Sequence, residues 1–199
     1  STSTAVWEVE TDAVGNVYSI GGETPMELRK FDVNGNLLWT YVTPWDTSSV
    51  WLGTLATDAA GNSYVTSGVE ANMHKVDNAG NQVWTTTLGG GLQFNSEWWS
   101  ITFNCDETQL IVGGTWVDGI LSFDFYAGIF EIDVVTGNVI SDQVVDYTNI
   151  GGFGANPIEV RSISSSPNAR YIFLTHNDVG AINQNFATCP QDTSVFQVD

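Results

Sequence analysis

The feature that constrains this chain most is an internal repeat. The segment KFDVNGNLLW, Lys30 to Trp39, recurs as KVDNAGNQVW, Lys75 to Trp84, about 45 residues further on. A second motif recurs with nearly the same spacing, TDAVGNVYSIGG at 11–22 and TDAAGNSYVTSG at 57–68. A period of this length is typical of propellers, solenoids and other repeat arrays.

Weaker copies extend the repeat along the chain. NCDETQLIVGG at 104–114 and SSPNARYIFL at 165–174 are degenerate copies of the first hairpin, and EIDVVTGNVIS at 131–141 is a third copy of the second. β-branched and aromatic residues alternate between turns rich in Asp, Asn and Gly, which indicates strands joined by hairpins. Four strands in a unit of about 45 residues are typical of a propeller blade.

The sequence therefore predicts an all-β fold, a β-propeller of four-stranded antiparallel blades. It is expected to be a single domain across 1–199, with four blades present. The predicted blades are about 5–44, 50–89, 97–147 and 158–199. FQVD, at 196–199, aligns with the third strand of blades one and two, so the fourth blade is expected to be incomplete and the chain to be part of a longer polypeptide.

The D-x-x-G-N segments are interpreted as structural turns. In each, Asp accepts backbone N–H bonds and Gly adopts a positive φ that closes a type I turn with a bulge. The predicted turn residues are Asp12, Gly15, Asp32, Gly35, Asp58, Gly61, Asp77 and Gly80. The Trp that follows each second turn, Trp39 and Trp84, is expected to pack between blades.

A calcium loop is the alternative interpretation of these turns. Asp32, Asn34 and Asn36 have the spacing of the first three calcium ligands, but Gly stands at the fourth position and Thr43 occupies the twelfth, where the bidentate Glu belongs. We therefore expect no metal and no cofactor.

Four tryptophans are the candidate ligand contacts. They stand at or just before the first strand of their blades, where entry loops form one face of a propeller: Trp45, Trp51, Trp98 and Trp99. Exposed, they would form a platform for sugar rings or a peptide; the alternative is packing between blades. Trp98 and Trp99 are adjacent, so in a strand they point to opposite faces and at most one of them joins a given packing layer.

The charge balance excludes several classes of partner. The chain has 23 acidic and 5 basic residues, a net charge of −18. A polyanion is repelled by such a surface, so nucleic acid and an anionic membrane are disfavoured. No apolar run approaches the roughly 18 residues that a membrane span needs. The carboxylates Asp118, Asp124, Glu131 and Asp133 lie in an insertion of blade three, interpreted as a solvated acidic loop, although a glycosidase-like pair stays open.

The two strongest copies resemble a known repeat. TDAAGNSYVTSG and MHKVDNAGNQVWTTTLGG resemble the SBBP-type β-propeller repeat of bacteria, and FDVNGNLLW and IDVVTGNVIS resemble the turn of quinoprotein repeats. Quinone chemistry needs a vicinal cysteine pair and cationic residues, which this chain lacks or nearly lacks. The resemblance implies a large secreted surface protein of Bacteroidota, of the type IX export, gliding or adhesion context.

The expected function is non-enzymatic. We expect an extracellular or cell-surface module of a larger secreted protein that binds protein or carbohydrate, with the remainder of its own polypeptide as a further partner. Two alternatives stay open: a propeller-face enzyme of lyase or glycosidase type, and a structural spacer within a surface or secretion complex. Cys105 and Cys189 are expected not to pair, because their connections belong to opposite faces of a propeller.

Overall fold

The computed structural model confirms the all-β prediction. It describes residues 5–22, 25–44, 53–67, 72–88, 97–104, 106–118, 124–145, 160–165, 171–175 and 182–184. These residues form fifteen strands in four antiparallel sheets, and no helix occurs among them. The chain divides into two compact units, Ser1–Trp98 and Trp99–Asp199.

Sheet 1 lies within the first predicted blade. Its strands follow one another in chain order: β1 (Val6–Thr11), β2 (Val17–Gly21), β3 (Glu27–Phe31) and β4 (Leu37–Val42). Alternating residues of the central strands are buried, including Tyr18, Ile20 and Leu28. This period of two is the pattern expected of a sheet packed on one face.

Sheet 2 repeats the architecture of sheet 1. Its strands are β5 (Gly53–Thr57), β6 (Ser63–Ser67), β7 (Asn72–Val76) and β8 (Gln82–Thr87), again in chain order. The pairing of its last two strands shifts register between Lys75 and Val76, and sheet 1 has the same shift between Lys30 and Phe31. The repeat therefore preserves a local irregularity as well as the strand order.

The cores of sheets 1 and 2 meet. Tyr18, Ile20, Met26 and Leu28 of sheet 1 form one buried cluster with three residues of sheet 2, and the cluster is completed by Leu55, Val65 and Val76. Burial of a side chain of Leu or Ile size contributes about 1.5–3 kcal/mol. The pair of sheets is thus held mainly by apolar contact, and any polar group inside it needs a partner.

Sheet 3 corrects the interpretation of the acidic insertion. Its strands are β9 (Glu97–Phe103), β10 (Gln109–Asp118), β11 (Asp124–Asp133) and β12 (Val139–Val145). The insertion predicted as a solvated loop lengthens the central hairpin instead, and the pairing runs from Gln109–Asp133 to Asp118–Asp124. Alternating β-branched and aromatic residues favour this extension, despite the acidic residues between them.

Sheet 4 has three described strands, β13 (Val160–Ser165), β14 (Tyr171–Thr175) and β15 (Ile182–Gln184). The third strand lies upstream of FQVD, the segment that the repeat alignment placed there. FQVD, Cys105 and Cys189 lie outside the described residues.

Candidate functional site

The D-x-x-G-N turns are closed by their own aspartates. Asp12 Oδ1 accepts from the backbone N of Asn16 at 2.9 Å and of Val14 at 3.1 Å, and Asp12 Oδ2 accepts from Asn16 Nδ2 at 2.7 Å. The same two bonds recur at Asp32, Asp58 and Asp77, whose carboxylates accept from the backbone N and from Nδ2 of the asparagine four residues later. The side-chain and backbone N–H groups of Asn36 lower the pKa of Asp32, and the backbone and side-chain N–H groups of Asn81 lower that of Asp77.

The predicted conformation of the turn glycines is confirmed. The φ angles of Gly15, Gly35, Gly61 and Gly80 are +87°, +82°, +79° and +89°. Each glycine N–H also donates to the carbonyl of the turn aspartate, at 2.9–3.0 Å. Left-handed backbone is accessible to glycine without the steric cost that a Cβ brings. The aspartate oxygens thus serve the turn itself, and no three His, Cys, Asp or Glu side chains of the described residues converge as metal ligands would.

A buried polar cluster joins sheet 1 to sheet 2 beside the first turn. Tyr18 is fully buried, and its hydroxyl lies 3.0 Å from Asp12 Oδ2 and 3.1 Å from the carbonyl oxygen of Gly61. Burial raises the pKa of the Tyr18 hydroxyl, and its bond to Asp12 raises it further. For Asp12, burial acts to raise the pKa, but the N–H and O–H donors around it outweigh burial and leave the pKa lowered.

Lys30 is the centre of this cluster. It is 3% exposed, and Nζ donates to Oδ1 of Asn78, on the second turn of sheet 2. Nζ also lies 3.8 Å from Asp12 Oδ2 and 4.8 Å from the centre of the Tyr18 ring. A buried ammonium is stable only where a counter-charge and acceptors replace its hydration, and these three groups supply them.

Trp39 completes the contact, as predicted for a tryptophan that packs between blades. Its Nε1 donates to the backbone carbonyl of Asn78 at 3.0 Å, and its ring meets the Tyr18 ring edge-on at 6.1 Å. A Cβ on Gly80 would lie 3.0 Å from the indole, so the missing side chain lets the ring lie on the turn. We call Asp12, Tyr18, Lys30, Trp39 and Asn78 the lysine node.

Sheet 2 carries a second copy of the side chains that sheet 1 contributes. Tyr64 Oη donates to Asp58 Oδ2 at 2.9 Å, Lys75 Nζ lies 5.2 Å from the Tyr64 ring centre, and the Tyr64 and Trp84 rings are 5.9 Å apart. The set Asp–Tyr–Lys–Trp is therefore shared by sheets 1 and 2. Its sequence signal was available, since all four residues recur at matching positions.

Two of the four candidate tryptophans, Trp98 and Trp99, are among the described residues. Trp45 and Trp51 lie outside the described residues. Trp98 is fully buried, which disfavours a ligand platform at this residue and supports packing, the alternative given for it. Trp99, on the opposite face of the same strand, is half-buried. Successive side chains of a strand point to opposite faces, so the two rings lie on different sides of the sheet, as expected.

His74 lies in a polar pocket between sheets 1 and 2. It is 2% exposed, and its Nδ1 lies 3.0 Å from Thr85 Oγ1 and 3.3 Å from Tyr41 Oη. Tyr41 in turn donates to Gln82 Oε1 at 2.6 Å. Burial lowers the pKa of His74 to about 4, against a smaller opposing effect of Gln82. The imidazole is thus neutral at physiological pH, which suits a strand residue packed between sheets.

Two glutamates on β1 were missed by sequence reasoning. Glu8 accepts from the backbone N of Leu55, an N–H of the first strand of sheet 2, and bonds the side chain of Thr54. Burial raises the pKa of Glu8, and burial together with the charge of Glu8 raises the pKa of Glu10. No motif marks these residues, since neither carboxylate recurs in the other copies. One of the two is committed to the contact between sheets, so they do not form a free acid–base pair.

Comparison with solved structures supports the fold. A crystal structure of a protein of unknown function from Bacteroides caccae matches with a TM-score of 0.58 and 11% identity, over 87% of this chain and 57% of that one. The Dos1 propeller matches with a TM-score of 0.53 and 9% identity, over 84% of this chain and 42% of that one. A catalytically inactive virginiamycin B lyase from Staphylococcus aureus, with quinupristin, matches with a TM-score of 0.45 and 11% identity, over 94% of this chain and 72% of that one.

The first two matches and the repeated four-stranded sheets show a β-propeller. The chain spans about half the length of these two structures, 57% and 42%. No protein-family model and no curated protein sequence matches it. Among the described residues, no helix is long and apolar enough to cross a membrane.

Proposed function

We propose that this propeller is a non-enzymatic binding module of a larger secreted or cell-surface protein, with a protein or glycan as its partner. The observation that carries the proposal is the surface of the outermost strands. In a chain with a net charge of −18, β4 (LLWTYV) and β8 (QVWTTT) contain no charged residue and share one exposure pattern.

The exposed residues of these strands are apolar or hydroxylated, apart from the amide of Gln82. About half of the surface is exposed at three apolar residues of β4, Leu37, Leu38 and Val42, and at Val83 of β8. Val139 and Ile140 are also exposed on β12 of sheet 3, although that strand carries the exposed Asp142 as well. Uncharged, apolar surface in an otherwise acidic protein is typical of sites that contact another macromolecule.

The polar side chains capable of chemistry support the same proposal. Lys30, Asp12, Glu8 and His74 all serve contacts between sheets. Such use accounts for the residues without a reaction on an external substrate. A secreted setting agrees with the scarcity of Lys and Arg, 5 in 199 residues, and with the resemblance to SBBP-type repeats. Type IX export and an adhesion role are part of this proposal.

The test is a binding screen with matched variants. The labelled chain is applied to a glycan array and to an array of extracellular bacterial proteins. We expect at least one saturable interaction, which Leu38→Lys with Val83→Lys reduces at least tenfold and Val14→Lys leaves unchanged. Val14 is a suitable control because it is exposed but lies on a turn, away from the outer strands. Binding that all three lysine substitutions leave unchanged would contradict the outer-strand surface.

Location is tested separately. An antibody against the chain should label intact cells of the source organism, and fractionation should recover the protein from the surface or the medium. Recovery in the cytoplasmic fraction alone would contradict secretion, whatever the binding screen finds.

A further inference from the structure

The lysine node brings together the three groups needed for a covalent bond between sheets. Lys30 Nζ contacts the side-chain amide oxygen of Asn78, so the amine lies next to the amide carbon Cγ. Lys30 is 3% exposed, and the ring of Tyr18 covers its amine at 4.8 Å. A nucleophile held against its electrophile reacts far faster than the same groups free in water.

The third group is a carboxylate beside the amine. Asp12 Oδ2 lies 3.8 Å from Lys30 Nζ, and both side chains are 4% exposed. A carboxylate in this position is placed to accept a proton from the ammonium, as a general base does.

The leaving group has an exit. Asn78 Nδ2, the nitrogen that must depart, donates to the backbone carbonyl of Ala60 at 3.0 Å. Asn78 as a whole is exposed, whereas Lys30 is buried. The amine is thus kept from water, while ammonia can leave to solvent.

We propose that Lys30 and Asn78 form an intramolecular isopeptide bond that links sheet 1 to sheet 2. Asp12 accepts a proton from the Lys30 ammonium, and the freed lone pair of Nζ attacks Cγ of Asn78. A proton moves from Nζ to Nδ2, the Cγ–Nδ2 bond breaks, and ammonia leaves with the proton held by Asp12. An ammonium and a primary amide become a secondary amide and an ammonium ion, with no oxidant, reductant or cofactor.

The site is specific to one pair of sheets. The position of Asn78 in the repeat is occupied by Val33 in the second turn of sheet 1 and by Val134 in that of sheet 3. A lysine facing either valine has no amide to attack. The bond would close a loop between residues 48 apart in sequence and fix the first two blades to each other.

Intact mass measures the bond directly. The denatured chain is expected to be about 17 Da lighter than its sequence mass, the loss of one ammonia. After proteolysis, one branched peptide should join the segment around Lys30 to the segment around Asn78. The substitution Lys30→Arg keeps the positive charge but removes the nucleophile, so this variant should have its full sequence mass.

Two further variants keep the result interpretable. Lys75→Arg, the same change at the equivalent position of sheet 2, should retain the mass loss. Asp12→Asn should fold, because Asn104 takes that turn position in sheet 3, but should form the bond at least tenfold more slowly. A full sequence mass in the folded wild-type chain, with circular dichroism matching that of Lys30→Arg, would overturn the proposal. So would a mass loss that persists in Lys30→Arg.

Discussion

Sheets 1 and 2 differ from sheet 3 at the same five positions of the repeat, although all three keep four strands in one order. Sheets 1 and 2 have Asp, Gly, Tyr, Lys and Trp at these positions. In sheet 3 the corresponding residues, by strand pairing, are Asn104, Glu107, Ile111, Glu131 and Ser141. The whole set of side chains has changed together, including a reversal of charge at the lysine.

The turn of sheet 3 keeps its backbone bonds nevertheless. Asn104 N donates to the carbonyl of Gln109, and Glu107 N donates to the carbonyl of Asn104, as Asp12 and Gly15 do in sheet 1. Asn104 Oδ1 accepts from the backbone N of Thr108 and Gln109 at 2.9 and 3.0 Å. Turn bonds and strand alternation are thus sufficient for the blade. The Asp–Tyr–Lys–Trp set is an addition that fixes particular blades to each other.

The largest expected effect comes from copying the charge of sheet 3 into sheet 1. Lys30→Glu removes the contact with Asn78 and places a second carboxylate beside Asp12 in a buried site. We expect a loss of about 3–5 kcal/mol in the free energy of unfolding. Lys75→Glu, at a half-exposed position, should cost about 1 kcal/mol or less. Chemical denaturation of both variants measures the difference, and equal losses would contradict a special role for Lys30.

A smaller loss of stability is expected at low pH, where His74 becomes protonated. Its pKa in the folded state, about 4, lies below the ordinary 6.5, so the folded state favours the neutral ring. The stabilising contribution is complete above pH 6.5 and is lost as the pH falls through 4, by up to about 3 kcal/mol. Glu8 and Glu10 oppose this trend, because their raised pKa values make their protonation favour the folded state.

The His74 contribution is isolated by a matched variant. His74→Phe introduces the residue that sheet 3 has at this position, Phe130, and should flatten the stability curve between pH 6.5 and 4 relative to wild type. Parallel curves for the two proteins, from thermal melts across that range, would show that the buried imidazole is not the acid-sensitive group.

Two equivalent glycines should respond differently to one change. Gly35→Ala and Gly80→Ala both force alanine into a positive φ, at about 1–2 kcal/mol each. A Cβ at Gly35 meets nothing within 4 Å, whereas one at Gly80 meets the Trp39 ring at 3.0 Å. We therefore expect Gly80→Ala to cost about 1 kcal/mol more. Identical midpoints in denaturant would contradict the packing of Trp39 on the second turn of sheet 2.

The smallest expected effect is a gain in stability in sheet 3. Glu107 has a φ of +55° where sheets 1 and 2 have glycine. Glu107→Gly should remove the strain of a Cβ in this region and stabilise the protein by about 1 kcal/mol. Asp106→Gly, one residue earlier, should destabilise, because it removes the acceptor for Thr108. A loss of stability in Glu107→Gly would contradict the equivalence of this turn to the others.

Turn chemistry and alternation made most of the fold predictable. Gly15 and its three equivalents needed a positive φ, and the strand order followed from the hairpins they close. The prediction was less accurate for sheet 4, whose third strand, β15, lies at Ile182–Gln184 and not at FQVD. The repeat is too degenerate there for the sequence to set the position of that strand. Acidic composition suggested a loop at 118–133, but pairing across the hairpin decided the outcome.

The contacts between sheets were less predictable than the sheets themselves. Lys30 and Asn78 lie in equivalent segments of different copies, and sequence alone does not show that a side chain of one meets the turn of the next. Glu8 carries no repeat signal at all. For Trp98 both a ligand platform and packing stayed open, because position on a first strand does not distinguish a buried tryptophan from an exposed one.

The most direct test of the link between sheets is a double-mutant cycle on Lys30 and Asn78. Unfolding free energies are measured for Lys30→Met, Asn78→Ala, the double variant and wild type, with Lys75→Met and Asn34→Ala as the control cycle. We predict a coupling of about 1–3 kcal/mol for Lys30 with Asn78 and additivity within about 0.5 kcal/mol for the control. Additivity in both cycles would contradict the claim that the lysine node joins the first two blades.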